Sequence, residues 1–128
     1  MTKTSFEDVF RSLKVRNLVK ARKIEADNVS LSGVQALTAA GAINVTSPVT
    51  TLAITGSSNV AFTLPNGEPG QMKIIKIISK STGDAVITPA TFHDGTTLTF
   101  DTANEAVILV YHATLGWMIA SNNGGAVA

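Results

Sequence analysis

Met72-Lys-Ile-Ile-Lys-Ile-Ile-Ser79 is the stretch that decides the fold. It is a long β-branched run, too short for a core helix and bounded on both sides by turn residues, so it reads as a strand. Ile75 and Ile77 lie on one parity and Ile74 and Ile78 on the other. Side chains alternate faces along a strand, so both faces of this one are apolar. A strand of that kind sits between its own core and a neighbour. One isoleucine pair belongs to the core and the other to a subunit seam. The reading places Ile75 and Ile77 at the seam together with Trp117, with the reverse assignment open.

Outward from this run the chain keeps a period of two. Leu52 and Ile54 alternate with Thr51, Ala53 and Thr55, and Val60, Phe62 and Leu64 alternate with Ala61 and Thr63. Ala85–Thr88, Thr96–Phe100, Ala106–His112 and Trp117–Ser121 follow in the same manner. Gly56-Ser-Ser-Asn59, Pro65-Asn-Gly-Glu-Pro-Gly70, Ser81–Asp84 and Leu115-Gly116 separate them as turns. About seven short strands at this spacing predict a mainly β fold, a small antiparallel β-sandwich or jelly-roll-like module over residues 50–121. The Gly-rich residues 122–128 read as a flexible tail. Residues 37–49 are small and uncharged, punctuated by Gly41 and Pro48, and read as a linker.

Residues 1–36 are of another kind. Ser5 precedes Phe6-Glu7-Asp8 as a partial capping pattern. Phe6, Val9, Phe10 and Leu13 then form one helical stripe, predicting a short helix over about residues 5–13 followed by extended chain. So short a helix is marginal in isolation and needs a surface to dock on. Arg11, Lys14, Arg16, Lys20, Arg22 and Lys23 follow with no acid between residues 9 and 24. Residues 28–128 hold three lysines against five carboxylates, a net of −2. The chain therefore reads as a basic anchoring arm on a faintly acidic body, and the arm predicts an acidic partner.

Composition adds an expectation of assembly. Charged residues are 15% of the 128, against about 25% in an average soluble domain, while hydrophobic residues are 45%. A small monomer needs charge to cover its surface. A β-body without disulfides or metal also has little core of its own. Both point to homo-oligomerisation. Cysteine is absent, which excludes disulfide scaffolds and thiolate chemistry. No apolar run approaches the ~20 residues of a membrane span, and the first residues lack the apolar stretch of a secretory signal. The expected setting is the cytosol or a particle assembled there.

Candidate chemistry is sparse. His93 and His112 have no ligand-like spacing. Asp84, Asp94 and Asp101 occupy turns, where solvated carboxylates are more ordinary than a calcium site. Asn66-Gly67 and Pro69-Gly70 open no helix, so turn chemistry outweighs a phosphate loop. Trp117 reads as packing rather than a sugar platform. No nucleophile elbow is present, and no enzyme, cofactor or metal is expected.

The stretch Leu37-Thr-Ala-Ala-Gly-Ala-Ile-Asn-Val-Thr-Ser-Pro-Val-Thr-Thr-Leu52, with Thr63-Leu-Pro-Asn-Gly-Glu-Pro-Gly-Gln-Met-Lys-Ile75, Ala85-Val-Ile-Thr-Pro89, Leu98-Thr-Phe100, Val107-Ile-Leu-Val-Tyr111 and Gly116-Trp-Met-Ile119, resembles β-modules of tailed-phage virion proteins, especially those of marine and cyanobacterial phages. The resemblance spans residues 37–121. It implies a trimeric virion component of the fibre or head-decoration type, and it implies no catalytic residue. The combined expectation is a homotrimeric capsid decoration protein in the virion. The arm would bind the major capsid protein or other virion proteins through Phe6, Val9, Phe10, Arg11, Leu13, Lys14, Arg16, Lys20, Arg22 and Lys23. A short head or tail fibre module touching a host surface or glycan is the alternative. Nucleic-acid binding through the arm is a second, weakened because no aromatic residue interleaves with the basic ones after Phe10.

Overall fold

The computed structural model describes residues 22, 23 and 25–128. The chain divides into two units, residues 1–30 and 31–128. The second is mainly β, and no helix occurs among the described residues. Its strands are β1 (Val34–Leu37), β2 (Gly41–Ala42), β3 (Val49–Ile54), β4 (Val60–Leu64), β5 (Met72–Lys80), β6 (Ala85–Pro89), β7 (Leu98–Phe100), β8 (Ala106–His112), β9 (Gly116–Asn123) and β10 (Ala126–Val127). They form two five-stranded sheets. The first has the order β1-β3-β5-β8-β9 and the second β10-β7-β6-β4-β2.

From β1 to β6 the chain alternates between the sheets, and equivalent strands stack in parallel. Three coils result: β1 with β2, β3 with β4, and β5 with β6. Beyond β6 the pairing turns antiparallel, through β6–β7 and β7–β10 in one sheet and β5–β8 and β8–β9 in the other. The expected antiparallel sandwich is thus corrected to two mixed sheets. Alternation identifies a strand but carries no information on its direction. The turns expected at Gly56–Asn59 and Pro65–Gly70 are present, and they carry the chain across to the opposite sheet.

These turns stack as the strands do. Ser81 N donates to Ile54 O, Gly83 N to Gly56 O, and Asp84 N to Asn59 Oδ1, while Val60 N donates to Asp84 O. The turn of the third coil therefore rests on that of the second. A Cβ at Gly83 would lie 2.1 Å from Ser58 O, a backbone atom with little room to yield. Only glycine lets the two turns close to hydrogen-bonding distance.

The core lies between the sheets. Leu52, Ile54, Ile75, Ile77, Val107, Leu109 and Trp117 come from the first, and Phe62, Leu64, Ile87, Leu98 and Phe100 from the second. Ile43, on the connector after β2, is also fully buried. Three strands fall outside the expected module. β1 straddles the expected end of the arm, β2 lies in the expected linker, and β10 lies in the expected tail. The tail is tied down, because Ala128 O accepts from Thr96 N and Thr97 N.

The two ends of the coil stack differ. At one end, β9 is covered by the loop before β7. Trp117 N donates to Thr91 O, His93 N to Trp117 O, and Ile119 N to Asp94 Oδ2 at 2.7 Å. At the other end, β1 and β2 each pair on one side only, with β3 and β4. Residues 28–67, which supply the first two coils, contain no charged side chain.

Candidate functional site: an apolar sheet face and a buried lysine

The inward parity of β5 is Lys73, Ile75 and Ile77, all fully buried. Met72, Ile74, Lys76 and Ile78 face outward. This corrects the expected seam. Ile75, Ile77 and Trp117 are 0% exposed within a single chain and have no surface left to offer another. Trp117 packs edge-on against Tyr111, with ring centroids 5.2 Å apart, and its Nε1 donates to Pro65 O at 2.9 Å. Gly67 lies against the indole; a Cβ there would sit 2.9 Å from the ring and 2.6 Å from Gln71 Oε1.

The outer face of the first sheet is the more informative surface. Cross-strand register aligns Val34, Val49, Ile74 and Ile108 in one row, continued by Ser121. A second row aligns Met72, Val110 and Met118. Val34 is 64% and Met72 52% exposed, Ser121 is exposed, and the other apolar members are half-buried. Ile78, 51% exposed, is the extra residue of a bulge between the pairs Leu52–Ile77 and Ala53–Ser79. A third row runs Ala36, Thr51, Lys76, Ala106 and Asn123. Lys76 is the charged group of these three rows.

The outer face of the second sheet differs in kind. Its rows are Ala42, Thr63 and Thr88, and Ala61, Val86, Thr99 and Ala126. A shallow groove of about 430 Å³ lies there between Ala42, Thr63, Pro65, Thr88 and Pro89. It presents two threonines, aliphatic carbon and no charge.

Lys73 organises a polar corner inside the body. Its Nζ donates to Ser47 O at 2.6 Å. Beside it, Gln71 Nε2 donates to Val45 O, and Gln71 Oε1 accepts from Glu68 N. Gln35 Oε1 accepts from Asn44 N and Thr50 Oγ1, and Gln35 Nε2 donates to Ala42 O. Side chains of the first sheet and of the turn before β5 thus hold the connector 42–47. Lys73 forms no ion pair among the described residues. Burial lowers its pKa from 10.5 to about 8. The sequence reading gave this residue no role. Its shared parity with Ile75 and Ile77 was the available signal.

The other candidates are held apart in separate local tasks. His112 Nδ1 accepts from Thr114 N and Leu115 N, closing the turn before β9. Asp94 closes the edge of β9, and Asp84 pairs with Lys80 at 3.1 Å. Glu105 accepts from Asp101 N and Thr102 N. Among the described residues no three His, Asp or Glu side chains converge as metal ligands. No helix among them is long and apolar enough to cross a membrane. Of the expected anchoring residues, Arg22 and Lys23 are exposed. Phe6, Val9, Phe10, Arg11, Leu13, Lys14, Arg16 and Lys20 lie outside the described residues.

No protein-family model and no curated protein matches this chain.

Proposed function

We propose that the chain is a non-enzymatic structural protein of a tailed-phage virion. In this reading it is a homotrimer that decorates the capsid shell and attaches through its N-terminal arm. The observation that carries the reading is the separation of two surfaces along one chain. Six basic residues without an acid occupy residues 9–24, whereas the body is weakly acidic and carries a broad apolar sheet face. An apolar face of this size on a small body calls for a partner. The basic arm suits a different, acidic one. Its charges give steering and orientation, and Phe6, Val9, Phe10 and Leu13 supply the apolar area that holds. Three arms on one trimer add avidity, since the second and third engagements are intramolecular.

The test is deletion of residues 1–23 followed by assembly with virions. The truncated chain should keep the far-UV signal of its β-body and lose incorporation into particles. Normal occupancy without the arm would overturn the attachment mechanism.

A further inference from the structure

We infer that the outer face of the first sheet is the seam of the homotrimer, with three copies of β5 turned toward a common axis and Met72 and Ile74 nearest to it. The inference rests on the proposed trimer and assigns its interface. β5 is the central strand of its sheet, so the residues that face outward from it lie at the middle of the apolar face. Five strands at the usual spacing of about 4.8 Å make a face about 24 Å wide, and Met72 to Ile78 spans about 20 Å along it. That is roughly 500 Å² per copy. A pair of such faces reaches the lower limit of a stable interface, near about 1,000 Å². In a trimer each face of about 500 Å² is shared between two neighbours, so the area supports self-association and the number three comes from the proposed trimer.

The geometry of closure agrees. Three faces about 24 Å wide, closed as a triangle, place each sheet about 7 Å from the axis, against about 5 Å from the mid-plane when two sheets pack face to face. The extra depth suits long side chains at the centre of the face, where Met72 and Ile74 stand. The contrast between the two outer faces gives the orientation. Val34, Val49, Met72, Ile74, Ile108 and Val110 turn inward, and the threonines of the second sheet face solvent. Strand-to-strand run-on between ends is blocked at Trp117–Ile119, where residues 91–94 cover β9. That leaves the sheet face and the edges of β1 and β2, and the apolar rows favour the face. Lys76 stands in the row beside Ile74 and opposes closure, because three ammonium groups approach one another around the axis.

The test is sedimentation equilibrium on the full chain at micromolar concentration. The wild type should sediment at three times the monomer mass. Val34→Glu with Met72→Glu should weaken association at least a hundredfold, with far-UV signal and Trp117 fluorescence unchanged. Both side chains are more than half exposed, so this pair leaves the core intact. Thr63→Glu with Thr88→Glu on the second sheet should leave the trimer as it was. Lys76→Met should tighten association, as should added salt in the wild type. A wild type that is trimeric, with a Val34/Met72 variant that stays trimeric, overturns the seam alone. A monomeric wild type overturns the seam and the trimer together. So does a monomer whose face binds an apolar dye only after residues 1–23 are removed, because the arm is then the occupant.

Discussion

Lys73 Nζ reaches the carbonyl oxygen of Ser47 at 2.6 Å and thereby fastens the third coil to the connector between the first and second. A buried ammonium held by a backbone carbonyl, with no carboxylate paired to it among the described residues, is costly to keep charged. The fold answers with a pKa lowered to about 8. Between about pH 8 and 10.5 the folded chain has lost this proton while the unfolded chain still carries it. Stability therefore rises with pH across that window, by about 3 kcal/mol at most. Thermal melts of the wild type should climb from pH 7.5 to 9.5 relative to Lys73→Met. Lys73→Met fills much the same volume and has nothing to titrate. Parallel melting curves for the two proteins would show that Lys73 is not desolvated.

Gly67 and Gly83 should separate by what a new methyl meets. At Gly67 one contact is the end of the Gln71 side chain, which can move, so Gly67→Ala should cost about 1–2 kcal/mol. At Gly83 the contact is the Ser58 carbonyl of the stacked turn, so Gly83→Ala should cost about 3 kcal/mol or more. Urea denaturation of both variants checks the order. The reverse order would contradict stacked turns.

Trp117→Phe removes the donor to Pro65 O and part of the largest core side chain. The expected loss is about 2–4 kcal/mol in urea denaturation, from the cavity and the unpaired carbonyl together. A loss below about 1 kcal/mol would place the indole outside the core.

Asp94→Ala should expose the edge of β9. The Ile119 amide loses its acceptor, so its hydrogen-exchange protection should fall while that of Val107 and Leu109 in β8 holds. The cost should be about 1 kcal/mol. Unchanged protection at Ile119 would mean the loop does not cap this edge.

The strand positions from β3 to β9 were legible because each is an alternating or β-branched run set off by turn residues. β2 and β10 were not, since strands of two residues carry no period, and β1 was divided between the stretches read as arm and linker. Direction was illegible for a different reason. A turn such as Gly56–Asn59 can close a hairpin or cross to another sheet with the same residues, and only the stacking of Gly83 on Gly56 decides. β5 shows the same limit within one strand. Ile74, Ile75, Ile77 and Ile78 balance between parities, and the deciding residue was Lys73, whose charge argues for solvent while its position argues for the core. The separation of the basic arm from the uncharged first coils needed no structure to be seen.

A cryo-EM reconstruction of the virion, resolved to side chains, tests the central claim most directly. The account predicts three copies around a local three-fold axis, the first sheets facing that axis, and the Phe6–Leu13 segment seated on the shell with Arg11, Lys14 and Arg16 against acidic groups. Virions without this chain, or a trimer seated on the shell through its β-body with the arms free, would contradict it.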